Sequence, residues 1–294
     1  MKRLIVNADD LGLTKGINRA VVEGHLHGII TSASLLANGA AFGSAVALAR
    51  QQTPLGIGVH LNLTQGRPVA ASSRVPSLLN PQGIFFSGPL NQIKRLLTGH
   101  ATLSDVEIEL RAQIEKVQRA GIRITHLDGH QHVHLLPSVF DVAIRLAKEF
   151  GIGAIRCAVE RSVEVLPLMG RNGRWSTVLF KQFLTGRALT VLSSSLRKKV
   201  YRARLRCPTH FYGVTQTGFL DAAALERIIR HLPRGTSELM CHPGYVDADL
   251  SVIPTRLLKQ RERELQALTR PEIKRLIQER AVQLINYRDL TEAS

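Results

Sequence analysis

The sequence predicts an α/β fold in which parallel strands alternate with crossover helices, and three observations carry that prediction. Short apolar runs recur along the chain, most of them followed by a helically spaced segment. The 294 residues are 44% hydrophobic and 21% charged, enough to bury a sizeable core within one domain that carries an insertion. The chemistry-bearing side chains Asp9, Asp10, His60, His130 and His242 fall where those runs end.

Residues 3–8 form a short apolar strand ending in Asp9 and Asp10, and residues 15–27 have helical spacing with Thr14 as N-cap and Gly28 as stop. The pattern repeats with a strand at 31–37, a helix at 41–52 and a strand at 55–63, where Gly56 and Gly58 permit close packing. Residues 66–89 are rich in Pro, Gly and Ser and read as a long loop over one end of the sheet. A helix at 104–120 opens with the capping box Ser104-x-x-Glu107 and stops at Gly121. A strand at 122–127 follows, then a helix at 138–150 with Pro137 near its first turn, and a strand at 154–157. After a basic insertion at about 160–210 come a helix at 221–231, a strand at 237–241, a helix at 255–268, another opened by Thr269-x-x-Glu272, and a last strand at 283–287.

Composition excludes several classes. In MKRLIVNADD the apolar run is only Leu4, Ile5 and Val6, too short for a signal-peptide core, so a cytoplasmic protein is expected. Cys157, Cys207 and Cys241 lack CxxC spacing and read as buried thiols rather than a disulfide framework or thiolate zinc site. No apolar run reaches the roughly 18 residues of a membrane span. Net charge is +16, and between residues 160 and 210 eleven Lys or Arg face only Glu160 and Glu164. Residues 174–206 mix these cations with apolar side chains. They read either as an amphipathic helix at the inner membrane surface or as a solvated helix packing its apolar stripe on the domain. Aromatic residues are only 5% and no base-readout motif is present, which argues against nucleic acid.

The stretch THLDGHQHVHLLP holds four of the chain's eleven histidines. If extended, it places His126, Asp128, His130, His132 and His134 on one face. Neutral imidazole is the commonest metal ligand, and a metal cluster also needs a carboxylate or further His from elsewhere. Asp9 and Asp10, His60, His130 and the CHPG turn with His242 all lie at strand C-termini. In a parallel α/β barrel that is the face where active sites are built. At a strand end two adjacent carboxylates can approach one point, one binding a metal while the other takes a proton from water. A glycosidase would need two carboxylates ~5–9.5 Å apart, usually from different elements.

Four segments in order, NADDLGLTKGIN, GVHLNLTQGRPV, THLDGHQHVHLLP and SELMCHPGYVD, resemble the YdjC or ChbG family of carbohydrate deacetylases over nearly the whole length. The resemblance implies an irregular TIM-like (β/α) barrel, a single domain across 1–294, and one divalent metal ion held by an Asp and two His, carried over as Asp10, His60 and His130. It further implies Asp9 as the water-activating base and His242 as proton donor. A two-His, one-Asp site does not need His132 and His134, which are assigned to substrate contact or support of the ligands, and His126 is assigned to the core. Arg156 would hold Asp9 or make an ordinary ion pair, and Glu238 or Asp247 would orient His242. The ligand set suits magnesium or zinc.

The family's substrate class is N-acetylglucosamine-containing glycans, yielding acetate and a free amine. The segments LRCPTHFYGVTQTGFL and LTRPEIKRLI look like the hopanoid-biosynthesis HpnK branch, which implies an N-acetylglucosaminyl lipid and peripheral membrane contact through 174–206. Two other readings stand beside it. In one, a soluble chito-oligosaccharide deacetylase uses the insertion as a lid or homodimer contact. In the other, a non-catalytic metal-bearing protein binds membranes or nucleic acid through its charge.

Overall fold

A computed structural model describes residues 1–160 and 177–292. Strand β1 (Lys2–Leu11) lies at the centre of a seven-stranded sheet in which every pairing is parallel. One of its edges is covered along its length by β6 (Gly235–Cys241), which pairs in turn with β5 (His210–Tyr212). The other edge is shared by β7 (Val282–Leu284) at its start and β2 (Ser32–Leu35) at its end. Beyond β2 come β3 (Gly56–Leu61) and β4 (Ile124–Gly129). The sheet curls into a half-barrel. The extended segment 154–160 crosses the gap through single bridges, Leu127 to Ile155 on the β4 side and Glu160 to Phe211 on the β5 side.

Helices pack outside because their apolar stripes need cover. In α1 (Lys15–Leu26) Ile17, Ala20 and Val21 are buried, and the Thr14 hydroxyl accepts from the Ile17 N–H at the N-terminus. Helices α2 (Phe42–Gln51), α4 (Leu103–Arg119), α5 (Pro137–Glu149), α7 (Ala222–Arg230), α9 (Lys259–Leu268) and α10 (Pro271–Glu279) likewise turn apolar faces inward. Helix α6 (Thr177–Arg202) buries Leu179, Gly186, Ser193, Leu196 and Val200, spaced three, four or seven residues apart, so a single stripe faces the domain. Among the described residues no helix is long and apolar enough to cross a membrane.

Several expectations are corrected. The first strand continues through both aspartates to Leu11. Its register shifts between Ala8 and Leu11, and Asp10 adopts φ 69°, so the chain bulges where the carboxylates sit. Helix α4 is capped by Thr102, whose hydroxyl accepts from Asp105 N–H, rather than by Ser104. The expected loop at 66–89 contains two short 3-10 turns and ends in helix α3 (Pro89–Leu97). The last strand is shorter than expected because α11 (Tyr287–Glu292) starts at Tyr287. Likewise α9 starts at Lys259, after the short α8 (Ala248–Ser251) and a turn. Of the expected insertion, residues 161–176 lie outside those described; α6 follows them, and β5 already belongs to the sheet.

The histidine stretch is not extended throughout. Strand β4 ends at Gly129 and the chain turns in a 3-10 segment, His130–Leu135, with Gln131 at φ 52° and His132 at φ 57°. The turn breaks the two-residue alternation, so its histidines face different surroundings.

Candidate metal centre and active site

The C-terminal ends of β1, β3, β4 and β6 surround a cavity of about 500 Å³ lined by Asp9, Asp10, His60, His130, His132 and His242. Without the bulge at Asp10, neighbouring side chains on a strand would point to opposite faces. With it, both carboxylates reach the same cavity but meet different partners.

Asp9 is gripped by Arg156, whose Nη2 donates to Oδ1 at 2.7 Å and Nη1 to Oδ2 at 2.8 Å; Asn7 adds a bond to Oδ1 at 2.8 Å. Burial pushes the Asp9 carboxyl up, but the Arg156 guanidinium outweighs it and holds the group below its usual value. Among the described residues Asp10 receives one such bond, from Arg261 Nη2 to Oδ2 at 2.6 Å. Its Oδ1 is buried with no geometrically formed hydrogen bond among those residues, while His130 Nδ1 stands 3.1 Å away and His60 Nε2 3.6 Å away. Here too burial raises the carboxyl, and Arg261 with His130 brings it well below the usual range.

Each histidine is turned toward that oxygen by a partner behind it. His60 Nδ1–H donates to Asp128 Oδ1 at 2.9 Å, leaving Nε2 for the cavity. Burial alone would lower His60, but Asp128, Asp9 and Asp10 raise it to about 9. Asp128 is fixed in turn by the Ser34 hydroxyl at 2.6 Å and Arg156 Nη1 at 2.9 Å. His130 Nε2–H donates to Gln65 Oε1 at 2.9 Å, leaving Nδ1 toward Asp10.

These atoms fit a divalent cation. Ligand bonds of ~2.0–2.2 Å in tetrahedral or octahedral geometry place donor atoms ~3–3.5 Å apart. The Asp10, His60 and His130 atoms approach that spacing, and all lie within 4.8 Å of one another. Asp9, His60 and Asp128 also cluster. That second group is a poor cation site, because Arg156 already supplies a positive charge to both carboxylates.

The remaining expected residues separate. Arg156 is fully buried and pairs with Asp9. Neither Glu238 nor Asp247 has a hydrogen bond to His242. Glu238 accepts from Arg156 and from the Tyr287 hydroxyl, while Asp247 caps α8 and accepts from Gly16 N–H. It is Glu264 that accepts the His242 backbone N–H, at 2.6 Å. Desolvation lowers the His242 ring to about 4, so it is neutral at pH 7. His132 reaches the cavity, with a buried Nδ1 that has no hydrogen bond among the described residues. His134 lies outside the cavity lining, its Nε2 3.3 Å from the Arg156 carbonyl oxygen and its ring against Gly129. His126 stacks on Tyr287 at 3.7 Å between ring centroids, inside the core.

Arg261 and Glu264 were not anticipated from the sequence, because LKQRERELQAL reads as a solvated charged helix. A signal exists: residues 261, 264, 265 and 268 share one helical stripe, and Leu265 and Leu268 make that stripe the core-facing one, so Arg261 and Glu264 are buried with them.

The profile of the family described as YdjC-like protein matches residues 3–279. The chain is 33% identical over 289 residues to a carbohydrate deacetylase of Brevibacillus brevis, covering 98% of this chain and 99% of the relative. It is 32% identical to a chitooligosaccharide deacetylase of Serratia marcescens, covering 98% and 99%. A crystal structure from Enterococcus faecalis, provisionally designated a cellobiose-phosphate cleavage protein, superposes with a TM-score of 0.76 at 26% identity over 99% of each chain.

Proposed function

The chain belongs to the YdjC-like family, and from that membership we propose that Asp10, His60 and His130 hold one divalent cation while Asp9 and His242 move the protons of an N-deacetylation. The activity is that of a carbohydrate N-deacetylase, a hydrolase of a linear amide. One observation carries the site reading: Arg156 occupies both oxygens of Asp9, whereas Asp10 keeps Oδ1 free between two imidazole nitrogens.

A cation held there supplies Lewis acidity toward the amide carbonyl and the attacking water. Asp9 stays ionised and fixed in direction by Arg156, and Oδ2, with one protein donor, takes a proton from the water. A C–O bond forms, the C–N bond breaks, and the amine nitrogen gains its proton through His242. Since His242 is neutral at rest, the proton it delivers is the one Asp9 took from the water, and Asp9 is left ionised again. Acetate and the amino sugar leave. Asp128 and Gln65 keep the two histidines in the tautomers that present a lone pair.

The experiment is a comparison of variants for bound metal and for loss of one acetyl group from di-N-acetylchitobiose by mass spectrometry. Asp10→Asn and His130→Ala lose metal and turnover together; Asp9→Asn keeps metal and loses turnover. Full turnover in Asp9→Asn sinks the assignment.

A lipid-linked N-acetylglucosaminyl substrate, such as a hopanoid, is favoured by α6. That helix has no acidic residue, and it exposes Leu184 and Val191 beside Lys181, Lys198 and Arg202. It also brings Gln182 and Thr185 to the cavity wall, so the face suited to a bilayer belongs to the element that borders the site. Each cation near an anionic surface contributes about 1 kcal/mol. Flotation with phosphatidylglycerol vesicles tests this: Leu184→Ser/Val191→Ser stays in the soluble fraction while the parent floats. Equal flotation removes the membrane reading and leaves a soluble chito-oligosaccharide as substrate.

A further inference from the structure

We infer that Arg261 donates a hydrogen bond from Nη1 to the acyl oxygen of the scissile amide, adding a protein donor for the negative charge that builds there. Arg261 enters from the first turn of α9 and is only 2% exposed. Its stem is boxed in by the turn after His242, where a Cβ on Gly244 would stand 3.0 Å from Arg261 Cδ. Two of its three nitrogens are fixed, Nε by the Leu257 carbonyl at 3.2 Å and Nη2 by Asp10 Oδ2 at 2.6 Å. A guanidinium is planar with donors in a rigid fork, so the third nitrogen is aimed as well. That nitrogen, Nη1, is buried and has no hydrogen bond among the described residues.

An unmet buried donor is destabilising, the more so when charged, so Nη1 calls for a partner that arrives with substrate. Arg261 lines the same cavity as Asp9, Asp10, His60 and His242. Its fork is pinned to the carboxylate whose other oxygen faces His60 and His130, so the guanidinium stands beside the proposed cation site. Of the atoms an N-acetyl sugar brings to that site, the acyl oxygen is the one that gains charge during attack. A guanidinium N–H to that oxygen strengthens as the charge grows. A ring hydroxyl gains no such charge.

The inference rests on the deacetylation reading, and its test separates the two. Arg261→Lys and Arg261→Gln are compared with the parent for kcat and KM on di-N-acetylchitobiose, and for zinc affinity by calorimetry. Thermal unfolding establishes that each variant is folded. Lysine keeps a charge beside Asp10 but lacks the fork. The expected result is a kcat loss of about 10²–10³-fold in both variants that persists at saturating zinc, with KM within about threefold of the parent. Unchanged kcat, a defect confined to KM, or a kcat restored by excess zinc overturns the inference; the last outcome makes Arg261 a positioning residue for Asp10 alone. If only one variant folds, that variant decides. A parent that neither binds metal nor releases acetate sinks the deacetylation reading itself, and this inference with it.

Discussion

Arg156 meets Asp9 side-on, with donor distances of 2.7 and 2.8 Å, while the same guanidinium reaches Asp128 at 2.9 Å and Glu238 at 2.8 Å. One buried cation thus holds three buried carboxylates. Arg156→Met strands them, and removing one partner of a buried ion pair costs about 3–5 kcal/mol. Urea unfolding should show a loss of that size. Arg156→Lys, with one point charge for three acceptors, should fold better than the Met variant yet lose turnover because Asp9 is no longer fixed in direction. A Met variant as stable as the parent contradicts the account.

Asp128 orients His60, one of the three proposed cation ligands. Asp128→Asn puts an amide where the His60 Nδ1–H now meets a carboxylate, weakening the bond that fixes the ring and its basicity. Loss of such a supporting carboxylate typically lowers metal affinity about 10–100-fold. Calorimetric titration with zinc checks it, and an unchanged affinity would separate Asp128 from the metal site.

His60 also predicts a proton count. In the metal-free protein burial opposes its charge, but Asp128, Asp9 and Asp10 raise it to about 9, so it carries two ring protons at pH 7.5. A ligand needs its lone pair, so metal binding should release about one proton there. Apparent affinity should climb as pH rises toward 9 and level beyond it. Titrations in buffers of different ionisation enthalpy read the released proton directly.

Gly58 is predicted to be intolerant of any side chain. A Cβ there would stand 2.3 Å from His126 Cε1, and the His126 ring is itself stacked on Tyr287 at 3.7 Å. The ring has nowhere to retreat. Gly58→Ala should therefore cost about 1–3 kcal/mol or more, measured as a lowered unfolding midpoint. A variant of parental stability would show that the ring can move after all.

Acid should destabilise the fold through histidines buried in the neutral form. Burial lowers His126 to about 3 and His134 to about 4. A depressed folded value means the unfolded chain binds protons first. Their contribution is therefore complete above the unfolded value of 6.5 and is lost as pH falls through 4 and 3. Glu238 and Glu264 act oppositely, because burial raises both to about 7 and their contribution, complete below 4.5, is lost as pH rises through 7. The steepest loss on acidification thus lies below pH 4.5, where only the histidines still differ between the two states among these four groups. His126→Gln should reduce the slope of unfolding free energy below pH 6.5 by up to about 1.4 kcal/mol per pH unit, one proton's worth, read from chemical unfolding at several pH values. An unaltered slope would mean His126 is not buried neutral.

The strand and helix order was legible because each element carries its own period and its own stops: Thr14 before α1, Gly121 after α4, Asp221 before α7. Boundaries slipped where tertiary contacts overrode local pattern. The strand through Asp9 and Asp10 continues because β2 and β6 supply hydrogen-bonding partners, which a reading of polarity alone could not see. Helix α3 is hard to read from sequence because its nine residues make only about two and a half turns, directly after a Pro-, Gly- and Ser-rich stretch.

By itself the sequence determined an α/β chain whose clustered Asp and His side chains lie at the C-terminal ends of its strands, since alternation, caps and the clustering of Asp and His are all local in the chain. Only the tertiary structure decided which partners surround Asp9 and which surround Asp10. The bulge with φ 69° at Asp10 turns both carboxylates into one cavity, and Arg156 and Arg261, distant in sequence, then treat them differently. The reason is physical: a carboxylate's role is set by which charges and donors surround it after burial, and those arrive from elements more than a hundred residues away.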